Sequence, residues 1–223
     1  MKLKNGFKYK KNGWTYISIK GEPYDRGVAH GTLLKDEIKK CLATMEWNLY
    51  DSHGLKLDFF KEISNFFFKK TIEVNFPELF TELKGIAKGA AVNLDELILW
   101  NNLASLDYAL PKLSLYLDEM PHLKEKYGHL LDVLPAVGQL EGGAKGSKGS
   151  KDKCSAFMAL GDYTSDGKIC CAHNSFDNFI DGQNFNIILD MKPTKGHRML
   201  FQCAPGYISS QTDFFINSKG FIG

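Results

Sequence analysis

Between Tyr24 and Asp51 the apolar residues Val28, Leu33, Leu34, Ile38, Cys41, Leu42, Met45 and Leu49 recur mostly at three- and four-residue steps, the spacing that lines one face of an α-helix. The pattern predicts one long amphipathic helix, entered through a turn at Gly21–Pro23 and preceded by a short strand from Trp14 to Ile19. Further helices are predicted over Leu57 to Val74, from a first-turn Pro77 through Ile86 toward Ala91, and from about Leu94 to Tyr108 behind an Asn93 cap. Beyond Pro111 the periodicity weakens, and Pro121 and Pro135 punctuate a short helix around His122 to Leu131.

After Cys154 the period changes. Ser155 to Leu160, Lys168 to Ala172, Asn184 to Met191, Arg198 to Cys203 and Phe214 to Asn217 are short β-branched or aromatic runs. Turn signals at Ser165-Asp166-Gly167, Lys195-Gly196 and Ser218-Lys219-Gly220 separate them, so they read as a meander of strands. Helices first and strands afterwards predict an α+β protein whose helical layer lies on an antiparallel sheet. The chain divides into a mainly helical region over residues 1–140, a flexible Gly/Lys linker over 141–153 and a β-rich region over 154–223.

Composition narrows the function classes. The 223 residues are 43% hydrophobic and 13% aromatic, an ordinary globular balance. With 28 basic and 26 acidic side chains the net charge is +2, which gives no global field favouring nucleic acid or a membrane surface. Five cysteines without CxxC spacing argue against a disulfide framework or a structural zinc module, and point to a reducing compartment. Cys170-Cys171-x-His173 offers soft ligands, but strand neighbours point to opposite faces, so only one of those thiols can join His173; no metal and no cofactor is expected. The lysine-rich N-terminus lacks a signal peptide's apolar run, and no segment is long enough to span a bilayer. As written the chain reads as cytoplasmic, with a lysosomal or secreted placement if the sequence continues upstream.

The junction at Cys154 carries the chemistry. The run from Gly142 to Lys153 has the composition of a solvated coil. It ends on a cysteine that opens a strand, and a polar cluster, His173-Asn174-Ser175-Phe176-Asp177-Asn178, follows one hairpin later, where the turn would return it toward Cys154. Lys153-Cys154-Ser155-Ala156-Phe157, Gly161 to Lys168 and Ala172-His173-Asn174 together resemble the cysteine N-terminal nucleophile (Ntn) hydrolases and acyltransferases of the penicillin acyltransferase type. The same residues resemble the related phospholipase B-like proteins and acid ceramidase. Upstream, Gly21 to Gly27 with His30-Gly31, and Gly85 to Ala90 followed by Leu94 to Leu97, also look like that family. So do Lys195 to Arg198, Pro205-Gly206 and Ile216 to Gly220 downstream.

The resemblance implies an αββα Ntn sandwich, incomplete at the C-terminus, with the N-terminal helical region before it. It also implies autocleavage between Lys153 and Cys154, with the exposed thiol as nucleophile and its own α-amine as base. Asn174 would donate to the terminus or oxyanion, His173 would orient the same centre, and Asp177 would hold the new ammonium group. Phe176, where the family often has tryptophan, would shape the substrate pocket. The substrate class is a small acyl amide or a lipid, resolved by water or by an amine. A phospholipase B-like hydrolase is the nearest variant, and a non-catalytic α+β remnant or binding domain is the alternative from another class. Because Phe221-Ile222-Gly223 reads as the start of a strand, the remaining C-terminal part of such an enzyme is an expected partner. Elsewhere, Asp25 and Arg26 are expected to cap the first long helix or pair structurally, and Phe66-Phe67-Phe68 to form helix core.

Overall fold

A computed structural model describes residues 1–131, 154–175, 182–210 and 214–223. Three N-terminal strands, β1 (Lys2–Leu3), β2 (Gly6–Lys11) and β3 (Trp14–Gly21), are joined in one sheet by β6 (Ile187–Pro193), β7 (Met199–Cys203) and β8 (Phe215–Asn217), in the order β1-β2-β3-β6-β7-β8. The remaining strands, β4 (Ser155–Gly161) and β5 (Gly167–Asn174), pair with each other as a separate hairpin. The protein is α+β, and its sheet is mixed. The expectation of an antiparallel sheet fails at its centre, where β3 and β6 run parallel with Ile17 opposite Leu189 and Ile19 opposite Met191. Sequence pattern marks strands but not which distant strand each one meets, and a parallel pair needs the intervening helices as its crossover. β2 has no counterpart in the sequence reading, although Phe7-Lys8-Tyr9-Lys10 alternates apolar and polar residues with a strand's period of two.

One face of the sheet is buried under helices. Ile17, Ile19, Ile187, Leu189, Phe201 and Cys203 point into the core from alternate positions on three strands. Above them pack α1 (Pro23–Leu33), α2 (Lys35–His53), α3 (Leu57–Ser64), α4 (Lys70–Asn75), α5 (Pro77–Ala90), α6 (Leu94–Asn101), α7 (Leu103–Ala109) and α8 (Pro121–Leu131). The single helix expected over Tyr24 to Asp51 is two, broken at Leu34, whose φ/ψ of −114°/24° is not helical; both Leu33 and Leu34 are thereby buried. The helix expected from Leu94 to Tyr108 also breaks, at Asn102, where the side-chain amides of Asn101 and Asn102 bond the carbonyls of Leu97 and Ile98 at 3.0 and 2.8 Å. Asn93 caps α6 as expected, its Oδ1 accepting from the amides of Asp95 at 2.7 Å and Glu96 at 3.3 Å. Between α3 and α4 the helix widens to a π-turn over Asn65–Lys69, which turns Phe66 and Phe67 onto the ring of Tyr116.

The tightest joint is between α1 and α5. Gly27 and Gly31 on α1, and Gly85 and Gly89 on α5, let the two backbones touch: a methyl at any of the four would overlap a carbonyl oxygen of the opposite helix. Small residues four apart on both partners are what such a close crossing requires. Where the helices meet, Arg26 and Glu82 form a buried ion pair, so the structural role expected for Arg26 is found, with a partner 56 residues away.

The opposite face of the sheet carries no helix among the described residues. On it Tyr9 stacks on Tyr16 with ring centroids 4.8 Å apart and lies 6.3 Å from Phe7, while Leu200 and Ile216 stand exposed beyond them. Phe221 to Gly223 fold back along β8, with Phe215 and Gly223 exchanging both backbone bonds, so the expected strand-like end pairs at this edge.

Candidate functional site

Cys154 sits exposed immediately before β4. The hairpin that follows turns through Gly161 and Gly167, both at positive φ (59° and 71°), with Asp166 Oδ1 accepting from the Lys168 amide at 3.2 Å. These glycines adopt a left-handed backbone that other residues resist. The turn fixes the register: Ser155 faces Asn174 and Ala156 faces His173. Residues 19 apart in sequence are therefore brought to one end of the hairpin, beside Cys154. Asn174 Nδ2 donates to Ser155 Oγ at 3.3 Å, and Ser175 Oγ lies 3.3 Å from His173 Nδ1.

Strand alternation divides this group. Ala156 and His173 share one face of the hairpin, and Ser155 and Asn174 share the other. The two residues expected to serve a single centre thus lie on opposite faces. Lys153, Phe176 and Asp177 lie outside the described residues. Cys171 shares the His173 face by the same alternation, and Cys170 does not; among the described residues no three His, Cys, Asp or Glu side chains are grouped as a metal would need. All five cysteines are described, and none is in a disulfide.

Sequence reasoning missed a cleft. Lys168, Ile169 and Cys170 of β5 and Phe214, Ile216 and Ile222 at the β8 edge line an open space of about 630 Å³ between the hairpin and the bare side of the main sheet, a size typical of small-molecule sites. Its walls come from the two ends of the described C-terminal region, so only the packing of hairpin against sheet creates it. A second cavity, about 270 Å³, lies where α1 and α5 begin, with Arg26, Thr81 and Lys195 among its lining residues and Glu22 and Glu78 at its rim.

Two buried polar groups also escaped the sequence reading. His30 on α1 is fully buried, and its Nε2 accepts the backbone N–H of Gly206 at 3.1 Å. Burial alone pushes its pKa down from 6.5 to about 4, so the ring is neutral. The motif residues His30-Gly31 and Pro205-Gly206 were visible in the sequence, but nothing local says that they touch. Cys203 is equally buried, which raises its thiol pKa and removes it from the candidate nucleophiles.

Among the described residues no helix is long and apolar enough to cross a membrane. No protein-family model matches the chain, and no curated protein matches it.

Proposed function

We propose that this chain is a self-processing cysteine Ntn hydrolase or acyltransferase that handles an amide-linked acyl group through an acyl-enzyme on Cys154. The observation that carries the reading is the hairpin register, which sets a carboxamide, Asn174, next to the residue that follows the thiol. The αββα arrangement expected for such an enzyme draws support from the layering: helices cover one side of the main sheet, and the separate Cys154 hairpin borders a cleft on its other side.

Cys154 Sγ attacks the carbonyl carbon of Lys153, the peptide C–N bond breaks, and the Cys154 nitrogen leaves as an amine. Water then hydrolyses the thioester, yielding a carboxylate at Lys153 and a thiol at a new N-terminus. A free α-amine has an ordinary pKa of about 8 and accepts the thiol proton, which an amide nitrogen does not. The thiolate attacks an acyl carbonyl, the leaving amine takes up a proton, and water or a second amine resolves the acyl-enzyme. An amide donor in the plane of the Asn174 side chain is the type of group that stabilises the oxyanion in both stages. A phospholipase B-like ester hydrolase would run the same acyl step with an alcohol as leaving group.

A non-catalytic α+β binding domain is the second reading. The exposure of Cys154 and of Phe157, Met158 and Leu160 on the hairpin favours it, since nucleophiles work best where water is excluded. Intact-mass spectrometry separates the two. Processing requires a fragment that begins at Cys154 and disappears in Cys154→Ala; a chain that keeps its full mass through long incubation is the binding domain. Trapping acyl groups on Cys154 from a mixed acyl-amide and acyl-ester library then identifies the substrate class.

A further inference from the structure

The turn that follows β7, from Ala204 to Ile208, is tied to the helical layer by side chains from two helices. Trp100 Nε1 donates to the Pro205 carbonyl at 2.9 Å, Asn101 Nδ2 donates to the Gly206 carbonyl at 2.9 Å, and Asn101 Oδ1 accepts the Ile208 amide at 3.1 Å. His30 takes the remaining central donor, the Gly206 amide. Residues 204 to 207 are buried beneath these contacts. Gly206 has a φ of 83°, a left-handed backbone that residues with a side chain resist, and a methyl there would press on Leu97 Cδ1 at 3.1 Å.

This fourth tie differs from the other three, because it holds only while the ring is neutral. With Nε2 accepting, the ring proton must sit on Nδ1, and that N–H has no acceptor among the described residues. An imidazolium at this position would face the Gly206 N–H with a second N–H and leave both donors unsatisfied inside the core. Among the described residues no countercharge relieves this. The buried ionisable side chains on the surrounding elements are Arg26 on α1 and Glu82 on α5, which are paired with each other, Cys41 on α2, and Cys203 and Tyr207 beside the turn. The buried residues of α6 are the apolar Leu97 to Trp100.

We propose that His30 is an acid-released latch: protonation of Nε2 expels the Gly206 amide and frees the Ala204–Ile208 turn from the helical layer while that layer stays folded. Independently of the catalytic reading, this gives the fold a built-in response to mild acid. The turn leads toward β8, and Phe214 and Ile216 form one wall of the cleft beside the hairpin, so release loosens that wall.

The size of the response follows from linkage. The released ring titrates at its ordinary 6.5 and the latched ring at about 4, so the open state binds more protons and gains as pH falls below 6.5, levelling off below about 4. Between pH 7 and pH 5 the opening equilibrium should rise roughly 20-fold. Hydrogen exchange of the full chain, corrected for the intrinsic pH dependence of exchange, should show that loss of protection over residues 204–210 and none over α5. His30→Gln, whose side-chain oxygen accepts from Gly206 without titrating, should abolish the change. Unaltered protection at pH 5 in the parent, or the same 20-fold loss in His30→Gln, overturns the latch. Should His30→Gln not fold, Trp100 fluorescence in a Trp14→Phe, Trp47→Phe chain decides. A red shift between pH 6.5 and 4 with helical circular dichroism retained supports the latch, and a red shift that coincides with loss of helix refutes it.

Discussion

Arg26 and Glu82 meet at 2.6 Å between α1 and α5, with 6% and 3% of their side chains exposed, so each is the other's route to being charged inside the protein. Burial nevertheless outweighs the guanidinium and holds the Glu82 carboxyl above the usual carboxylate range. Removing the cation should be costly: Arg26→Met is expected to lose about 3–5 kcal/mol at neutral pH, because a buried carboxylate is left uncompensated. A carboxyl whose folded pKa is raised favours the fold at low pH and ceases to do so as pH rises through that value. The deficit of Arg26→Met should therefore shrink on acidification toward pH 4, measured by denaturant unfolding at each pH, and a deficit independent of pH would contradict the account.

A glycine inside the α1–α5 contact and one outside it predict substitutions of opposite sign. Gly31→Ala places a methyl on the Ile86 carbonyl and should destabilise by about 3 kcal/mol, since two packed backbones have little room to part. Gly128→Ala on α8 meets nothing within 4 Å and should stabilise by about 0.5–1 kcal/mol, the ordinary helical preference for alanine. Thermal unfolding of the two variants beside the parent measures both signs.

Asn93→Ala should cost about 1 kcal/mol, because two first-turn amides of α6 lose their acceptor. Asn93→Asp should keep most of that stability. Equal losses in both variants would show that the contribution comes from packing and not from the cap.

Within the proposed function, Asn174→Ala should slow Cys154-dependent fragment formation about 100-fold, the effect of deleting one oxyanion donor, and leave the melting temperature within a degree or two. Asn174→Asp keeps the shape but loses the donor, so it should be nearly as slow. A time course on a denaturing gel reads both rates, and an undiminished rate in Asn174→Ala would remove this residue from the mechanism. His173→Ala, on the opposite face of the hairpin, is the paired comparison.

The candidate site was partly legible in the sequence. Two strand-like runs around Ser165-Asp166-Gly167 suffice to return His173 and Asn174 to Cys154, because a tight turn fixes which residues face each other. The same period of two places His173 and Asn174 on different faces, a consequence the sequence already contained but that assigning both to one centre overlooked. The cleft against Phe214 and Ile216 was not legible, since it depends on where a free-standing hairpin packs.

Periodicity, caps and turns determined the local elements: the faces of α2 and α5, the start of α6 at Asn93, and the strands after Cys154. These signals act over a few residues, where backbone geometry and the choice between water and core are settled by neighbours in the chain. Only the tertiary structure decided that β3 pairs in parallel with β6, that four glycines bring α1 against α5, and that His30 receives the amide of Gly206 across 176 positions. Each of these depends on which of many equally apolar or equally polar surfaces meet, and that choice is made by the packing of the whole chain.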